Sequence, residues 1–241
     1  MLPLRLSRDH QPRTYRPIFK QHGRLHIPDI LDQSSAEGLY AAVRDARDWT
    51  RAFHLGPGRD VDIYVHELEA LPPEERTRLE AELVGSSSEG LRYVFDTVRI
   101  TSELKEGGRP VSPPMRSLHD FVNGDAFLNF IRELTGDDRV AFADVMATRY
   151  LPSHFAAAHG DELAGQKRLY AFVLNLTPEW RTDWGGVLTF HDSDGHIAEG
   201  YTPKFNALNV FAVPQTHAVS FVTPMARAPR LSVTGWVHGR V

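Results

Sequence analysis

A histidine and an aspartate near the middle of the chain are the first residues whose types and spacing could do chemistry. His159 and Asp161 form an H-x-D triplet at the end of the stretch 150–161. Side chains two residues apart in an extended strand point to the same face, so an imidazole and a carboxylate could meet there. The pair supplies two ligands of a 2-His-1-carboxylate facial triad, which holds Fe(II) and leaves coordination positions open. Because the chain has 12 histidines, the triplet alone is weak evidence and a third ligand is needed.

Four histidines downstream are candidates for the third ligand: His191, His196, His217 and His238. His191 begins a hairpin, His196 follows a tight turn, and His238 lies close to the C-terminus. His217 instead opens a predicted strand after the turn 214–216. A strand end lets a ligand face a cavity while the sheet keeps it rigid, so we predict that His217 is the third ligand.

Arg230 follows His217 by thirteen residues, across a proline-bounded turn. The segments 218–222 and 231–237 are predicted to pair as a hairpin, in which alternation places four side chains on one face: Arg230, Ser232, Thr234 and Trp236. An arginine aimed into a β-core is costly unless an anion meets it. Its planar guanidinium suits a carboxylate, and Ser232 could add a further hydrogen bond. Iron together with a buried carboxylate-binding arginine is what a 2-oxoglutarate-dependent oxygenase requires.

The composition excludes several other classes of site. The 241 residues contain no cysteine, which excludes disulfides, zinc-thiolate sites, iron–sulfur clusters and thiol nucleophiles. The net charge of −4 gives no basic field, so we expect no nucleic-acid and no membrane partner. The N-terminus lacks a signal-peptide pattern, and we expect a cytoplasmic protein. The sequence does not determine the oligomeric state.

The first 136 residues are predicted to be helices with a few early strands. Residues 1–23 are polar and contain Pro12 and Pro17, which predicts an extended lead-in. Ser34 and Glu37 form an S-x-x-E capping box at the start of a first helix. The pattern also predicts a strand at 25–27, a second helix over 72–85, a strand over 93–100, and a third helix from 121 that stops at Gly136.

The segment 103–114, E-L-K-E-G-G-R-P-V-S-P-P, is the most loop-like part of the sequence. Its glycines and prolines predict a long exposed connection, and such connections are often functional lids. Both an ordinary mobile loop and a lid that closes over a substrate stay open.

After Gly136 the pattern changes to short strands and turns. The predicted strands are 140–150, 169–176, 187–190, 206–213, 218–222 and 231–237. Strands at this spacing favour a jelly roll. We therefore predict an α+β fold, mainly β, in which a double-stranded β-helix core is supported by N-terminal helices. Residues 1–241 form a single domain in this prediction, with 1–136 as the helical supporting layer and 137–241 as the jelly-roll core.

Residues 150–236 resemble the prolyl 4-hydroxylase-like branch of the Fe(II)/2-oxoglutarate-dependent dioxygenases. The matching pieces are Tyr150, His159-Gly160-Asp161, Val173-Leu174-Asn175, Trp184-Gly185-Gly186, Pro203-Lys204-Phe205-Asn206, His217 and the segment 230–236. Their order and spacing agree with the family throughout. R-Y-L-P, N-L-T-P-E-W and D-W-G-G in particular resemble the ribosomal-protein prolyl hydroxylase subgroup.

The resemblance implies a role for six residues. His159, Asp161 and His217 would ligate Fe(II). Arg230 would pair with the distal carboxylate of 2-oxoglutarate, assisted by Ser232 and Tyr150. The family uses O₂ and 2-oxoglutarate to hydroxylate a C–H bond, releasing succinate and CO₂, with ascorbate as a possible reductant. Val173 departs from the family, where some relatives have a tyrosine that touches the cosubstrate, and Ser153 replaces a common glycine.

The resemblance identifies the reaction more firmly than the substrate. A prolyl residue in a protein or peptide is favoured, while a free amino acid or a natural product as substrate stays open. A cupin-like metal-binding protein without oxygenase activity is the alternative from another class. That alternative shares the metal ligands but gives no reason for Arg230.

Overall fold

The computed structural model describes residues 2–54, 60–85, 93–163, 165 and 167–240. The helices in this part of the chain are α1 (Pro12–His22), α2 (Gln33–Arg44), α3 (Val65–Ala70), α4 (Pro73–Gly85), α5 (Ile100–Glu106), α6 (Pro113–Val122) and α7 (Asp125–Thr135). The strands are β1 (Arg24–Ile27), β2 (Thr50–His54), β3 (Asp60–Tyr64), β4 (Tyr93–Val98), β5 (Val140–Tyr150), β6 (Phe155–His159), β7 (Arg168–Asn175), β8 (Leu188–His191), β9 (Ile197–Tyr201), β10 (Ala207–Ala212), β11 (His217–Val219) and β12 (Arg230–Gly239).

The strands form an antiparallel, nearly closed barrel of the predicted jelly-roll kind. Their order is β1-β10-β7-β12-β5-β4-β6-β11-β8-β9, and β2 joins β4 and β3 at the side. Strands β1, β10, β7, β12 and β5 form the larger sheet of the barrel, and β6, β11, β8 and β9 form the smaller one. β12 lies inside the larger sheet, where it pairs with both β5 and β7. β4 connects the two sheets, because its end pairs with β5 while Tyr93 and Val94 pair with β6.

The main hydrophobic core lies between the helices and the outer face of the larger sheet. α7 presents Phe127, Ile131 and Leu134 at helical spacing, all of them buried. From β12, Leu231 and Val233 belong to the same core. Since side chains alternate along a strand, Arg230 and Ser232, which alternate with Leu231 and Val233, face the barrel interior.

Several sequence predictions of elements are confirmed. The predicted strand at 25–27 is β1, the helix over 72–85 is α4, and the strands at 140–150 and 169–176 are β5 and β7. Gly136 was predicted to stop a helix, and it ends α7 in the left-handed conformation with a φ of 75°. The predicted connector at 85–90 falls mostly on residues outside the described part of the chain. The single-domain assignment stays a prediction.

Three predictions for the N-terminal half are wrong. Residues 12–22 form α1 instead of an extended segment, because Phe19 is buried in the core and the Arg16 guanidinium donates to the carbonyl of Glu133. The first helix is capped by Asp32, whose carboxylate accepts from the Ser35 N–H at 2.8 Å, and not by a box at Ser34. The single helix predicted from 121 to 136 is divided between two helices: α6 ends at Val122, and α7 begins at Asp125.

The segment 103–114 is only partly a loop. Its first four residues belong to α5, which ends before Gly107 at a φ of 70°. The Arg109 guanidinium lies 4.0 Å over the ring of Tyr64 and donates to Thr50, so that it is held against β2 and β3. Closure of this segment over a substrate stays a prediction.

The hairpin predicted from segments 218–222 and 231–237 does not form. β11 pairs with β6 and β8, whereas β12 pairs with β5 and β7. The proline-bounded turn between the two segments therefore crosses from one sheet to the other. In the described part of the chain, no helix is both long and apolar enough to cross a membrane.

Candidate active site

The structure brings His159, Asp161 and His217 together inside the barrel. His159 ends β6 and lies directly opposite His217, which begins β11. The Asp161 carboxylate lies between them, 3.4 Å from His159 Nε2 and 3.3 Å from His217 Nε2. One ligand atom from each residue lies within 4.8 Å of the others, so a single ion could contact all three. Two imidazoles and one carboxylate suit Fe(II).

A β-bulge in β6 allows this arrangement. Ala156 pairs with Val219 and His159 pairs with His217, so β6 spans three residues where β11 spans two. Without the bulge, strict alternation would place Ala156 and His159 on opposite faces. With it, Ala156 packs against Tyr150 and Val219 in an interior cluster, and His159 also faces inward.

The side chains of His159 and Asp161 meet as predicted, but the predicted reason is wrong: the two residues do not alternate along one extended strand. Asp161 lies beyond the end of β6 and has a φ of 64°, the left-handed region that few residues other than glycine adopt. Arg168 supports this conformation by donating from Nη1 to the Asp161 carbonyl at 3.1 Å. Its guanidinium also lies 3.9 Å over the Trp236 ring, which restricts its position.

Backbone carbonyls orient both imidazoles toward the centre of the triad. His159 Nδ1 lies 2.8 Å from the carbonyl of Ala157, and His217 Nδ1 lies 2.8 Å from the carbonyl of Gln215. A carbonyl only accepts, so each Nδ1 carries the proton and each Nε2 keeps its lone pair for a ligand role. This orientation by outer hydrogen bonds is typical of metal-binding histidines.

The electrostatics of the triad favour a charged carboxylate beside a neutral imidazole. Burial raises the pKa of Asp161, but the hydrogen bond to His159 and the two imidazoles outweigh burial and hold its pKa below the usual value. Burial lowers the pKa of His217 to about 4, which keeps that ring neutral. Burial also lowers the pKa of His159, but the Asp161 carboxylate outweighs it and raises that pKa overall.

Arg230 lies in the barrel interior on β12, directly opposite Tyr150 on β5. It is only 2% exposed, and its guanidinium carbon lies 5.0 Å over the Tyr150 ring. Nη1 donates to Ser232 Oγ at 3.3 Å, while Nε has no hydrogen-bond partner within the described residues. No carboxylate of those residues forms an ion pair with it, and burial of the uncompensated charge lowers the pKa of Arg230.

A dicarboxylate cosubstrate fits this environment. The orphaned Nε and the uncompensated buried charge both call for an anion at Arg230. Burial raises the pKa of Tyr150 to about 12, so the phenol stays neutral and can donate a hydrogen bond. Ser232 Oγ lies 2.8 Å from Thr148 Oγ1, which orients the hydroxyl beside the guanidinium.

The Trp184-Gly185-Gly186 motif makes room for Arg230. A Cβ on Gly186 would lie 3.0 Å from Arg230 Cδ and 3.2 Å from the Trp180 ring, and the φ of Gly186 is 62°. A Cβ on Gly185 would lie 1.9 Å from the carbonyl oxygen of Phe221. The Trp180 indole N–H donates to the Gly185 carbonyl at 2.8 Å and fixes this turn. Glycine is therefore required at both positions, because other segments of the same polypeptide approach too closely to leave room for a Cβ.

The other candidate histidines lie outside the triad. His191 Nε2 contacts the hydroxyl of Thr189 at 2.9 Å, His196 is exposed, and His238 lies beside Asp144 at 2.8 Å. His154 is buried but lines a cavity on the other side of the sheet.

Two residues of the site were not predicted from the sequence. Thr148 could have been found, because it lies two residues before Tyr150 and so shares its face. Arg168 carries no comparable signal.

Val173, which replaces a tyrosine of some relatives, packs in an interior cluster with Phe190 and Phe211. Ser153 adopts a φ of 75°, a conformation that the glycine of relatives reaches without strain.

Comparison with known proteins shows which family this site resembles. Residues 145–238 match the model of the 2OG-Fe(II) oxygenase superfamily, and this segment contains the metal triad and Arg230. The segment that carries the site is therefore similar to the 2OG-Fe(II) oxygenases, as its sequence pattern predicted.

Two of the similar proteins are prolyl 3-hydroxylases. Over 120 residues the chain is 32% identical to the prolyl 3-hydroxylase OGFOD1 of Xenopus laevis and to that of Mus musculus. The alignments cover 47% of this chain but only 23% and 22% of those proteins. The chain therefore spans about a quarter of the length of these relatives, and the similarity does not show that it has their activity.

Solved structures share the fold over nearly the whole chain. A prolyl-4-hydroxylase of Pseudomonas putida has a TM-score of 0.58 at 16% identity, with 98% of this chain and 95% of that chain covered. A 2OG-Fe(II) oxygenase family oxidoreductase of Burkholderia pseudomallei has a TM-score of 0.60 at 15% identity, with 95% and 92% covered. A prolyl hydroxylase of Trichoplax adhaerens, in complex with a peptide fragment of hypoxia inducible factor, has a TM-score of 0.58 at 15% identity, with 95% and 89% covered.

Proposed function

We propose that this protein hydroxylates a prolyl residue of a protein or peptide, with consumption of 2-oxoglutarate and O₂ and release of succinate and CO₂. The observation that carries the proposal is Arg230, a fully buried cation that has no counter-ion among the described residues and lies in the same barrel interior as a His-Asp-His triad. A metal-binding protein without a keto-acid cosubstrate has no use for this arginine, and burying it would only destabilise the fold.

Each residue of the site has a separate task in this proposal. His159, Asp161 and His217 would hold Fe(II) through Nε2, a carboxylate oxygen and Nε2. Arg230 would bind the distal carboxylate of 2-oxoglutarate with two hydrogen bonds, and Ser232 and Tyr150 would add donors. When bound, Fe(II) and 2-oxoglutarate together supply the oxidising power that activates O₂ for C–H hydroxylation.

Support for a prolyl substrate in a protein comes from the similar proteins. The relatives include a prolyl 3-hydroxylase and a prolyl-4-hydroxylase, and one structure of this fold holds a protein-derived peptide. We assign the prolyl ring as the site of reaction without assigning its carbon. A free amino acid or a natural product would place the same chemistry on a smaller substrate.

An anaerobic titration of Fe(II) into protein with 2-oxoglutarate tests the metal and cosubstrate sites together. Chelation of the keto acid by bound iron should give a weak charge-transfer band in the visible, which an Asp161→Ala variant should lack. An Arg230→Met variant should bind the metal with unchanged affinity but need much more 2-oxoglutarate to develop the band. Metal binding without any band in the wild type would instead support the cupin-like alternative.

Mass spectrometry of peptides tests the substrate. A library of prolyl peptides incubated with the loaded enzyme should yield products heavier by one oxygen atom, with the oxygen on the proline. Products that appear only among free amino acids or other small molecules would overturn the protein-substrate proposal and leave the oxygenase assignment intact.

A further inference from the structure

A cavity of about 800 Å³ lies against the outer face of the sheet, beneath α3 and α4. The wall on the sheet side includes Phe53, Val94 and Phe155, which are register partners along β2, β4 and β6 and therefore share one face. Leu68 from α3 and Leu79 from α4 form the opposite wall. The cavity is of the size that buries a small organic molecule.

This cavity is separate from the metal site, although both use β6 and β11. Ala218 lines the cavity and lies between His217 and Val219 on β11. Alternation therefore directs Ala218 to the outside of the barrel while His217 faces inward. Neither the metal triad nor Arg230 belongs to the lining. Ala156 and Val219, which belong to the interior cluster, also reach the lining, so the two sites are neighbours on the same strands.

The cavity wall carries an arginine from an ion-pair cluster that has one positive charge in excess within the described residues. The fully buried Asp96 carboxylate binds two guanidinium groups, those of Arg51 and Arg149. Two cations on one carboxylate leave one positive charge in excess. Arg51 lines the cavity, so this excess charge lies at its wall.

Two further buried nitrogen atoms at the cavity wall lack hydrogen-bond partners within the described residues. Arg76 Nε is buried and, within the described residues, unpaired. His154 is only 4% exposed, and its Nδ1 is likewise without a partner there. Burial lowers the pKa of His154 to about 4, so the ring is a neutral hydrogen-bonding group. Among the described residues of the lining, Glu69 is the one acidic residue, and it is exposed to solvent. Arg76 Nε can only donate, and a buried donor without a partner is rare in native proteins and calls for an acceptor.

We propose that this cavity is a second ligand site, for a small monocarboxylate with an aromatic or aliphatic body. The carboxylate is bound by Arg51 and Arg76, whose guanidinium groups suit it. The apolar body lies against Phe155 and Phe221, which stack at 6.1 Å between ring centroids. Phe221 is 50% exposed, so this apolar surface has no covering group within the described structure. The site is independent of the proposed prolyl hydroxylation.

Calorimetric titration with 4-phenylbutanoate tests the site. The full-length protein is first loaded with Mn²⁺ and saturated with 2-oxoglutarate, so that the probe cannot bind at Arg230. We expect the acid to bind the loaded protein, and its primary amide to bind at least about tenfold more weakly through loss of charge-assisted hydrogen bonds. Absence of binding by the acid, or equal affinity for acid and amide, overturns the proposal.

Variants on α4 locate the binding. Arg76→Gln should weaken binding of the acid at least about tenfold, whereas Arg78→Gln should leave it unchanged, because Arg78 is exposed and outside the lining. Phe221→Ala should weaken the acid and the amide by a similar factor, since it removes apolar contact only. Unchanged affinity of Arg76→Gln, or binding that appears only without 2-oxoglutarate, contradicts the assignment.

Discussion

His159 and His217 lie directly opposite each other on neighbouring strands, with ring centroids 4.3 Å apart and both Nε2 atoms within 3.4 Å of the Asp161 carboxylate. The protein alone holds these three groups in contact, since each Nδ1 is bound to a backbone carbonyl and Asp161 is held through its own carbonyl by Arg168. The metal site is therefore organised before any metal binds, which limits the rearrangement that binding requires.

Asp161 is expected to be indispensable for metal binding. Asp161→Asn keeps the size of the side chain but removes the negative charge between two imidazoles. We expect Mn²⁺ affinity to fall by more than about a hundredfold, beyond the loss typical of removing an outer hydrogen-bond partner. Electron paramagnetic resonance of free Mn²⁺ measures this. The matched variant Asp192→Asn, in an exposed turn, should bind as the wild type does.

The sequence predicted the fold class because the strands after Gly136 carry strong β-patterns and the site motifs have family-like spacing. It could not predict the bulge in β6, since bulges leave no fixed residue signature and the alternation of side chains is the only local guide. The left-handed Asp161 was missed for a similar reason: its conformation is imposed by Arg168 and by the neighbouring strands. α1 was missed because its helix depends on burial of Phe19 against a distant part of the chain, which outweighs the interior Pro17.

Gly186 is expected to control cosubstrate binding through Arg230. An alanine there adds a Cβ 3.0 Å from Arg230 Cδ and adopts an unfavourable φ of 62°. Gly195→Ala is the matched control, because Gly195 has a φ of 85° but no atom within 4 Å of the added Cβ. Both variants should lose about 1–2 kcal/mol of stability from the left-handed backbone. Only Gly186→Ala should also weaken 2-oxoglutarate binding, measured by the charge-transfer titration; equal binding by the two variants would contradict the role of Gly186.

Arg168 is expected to position the metal-binding carboxylate without touching the metal. Its guanidinium donates to the Asp161 carbonyl and lies over Trp236. Arg168→Met keeps the apolar contact with Trp236 but removes the donor, and we expect metal affinity to fall about tenfold. Arg227→Met, an exposed arginine in the turn before Arg230, is the control. Unaltered Mn²⁺ affinity in Arg168→Met would show that the left-handed Asp161 is stable without this hydrogen bond.

Asp144 is expected to make the stability of the fold dependent on acid pH. It lies on β5 and contacts His238 and Lys105, at 2.8 Å and 2.9 Å. Burial raises its pKa, but the close contacts with His238 and Lys105 outweigh burial and lower the pKa to about 2. Because the pKa in the folded state lies below the unfolded value of about 3.9, the stabilisation is fully present above pH 4 to 5 and is lost as the pH falls toward about 2.

The variant Asp144→Asn should therefore be less stable than the wild type by about 1 kcal/mol at pH 7, a figure reduced for the partial exposure of the pair with Lys105. At pH 3, about half of the Asp144 stabilisation is gone, so the difference should roughly halve. Urea unfolding at the two pH values measures both. The exposed Asp138→Asn should show no difference at either pH, and a deficit in Asp144→Asn that stays constant with pH would mean that lost packing, not lost charge, destabilises the variant.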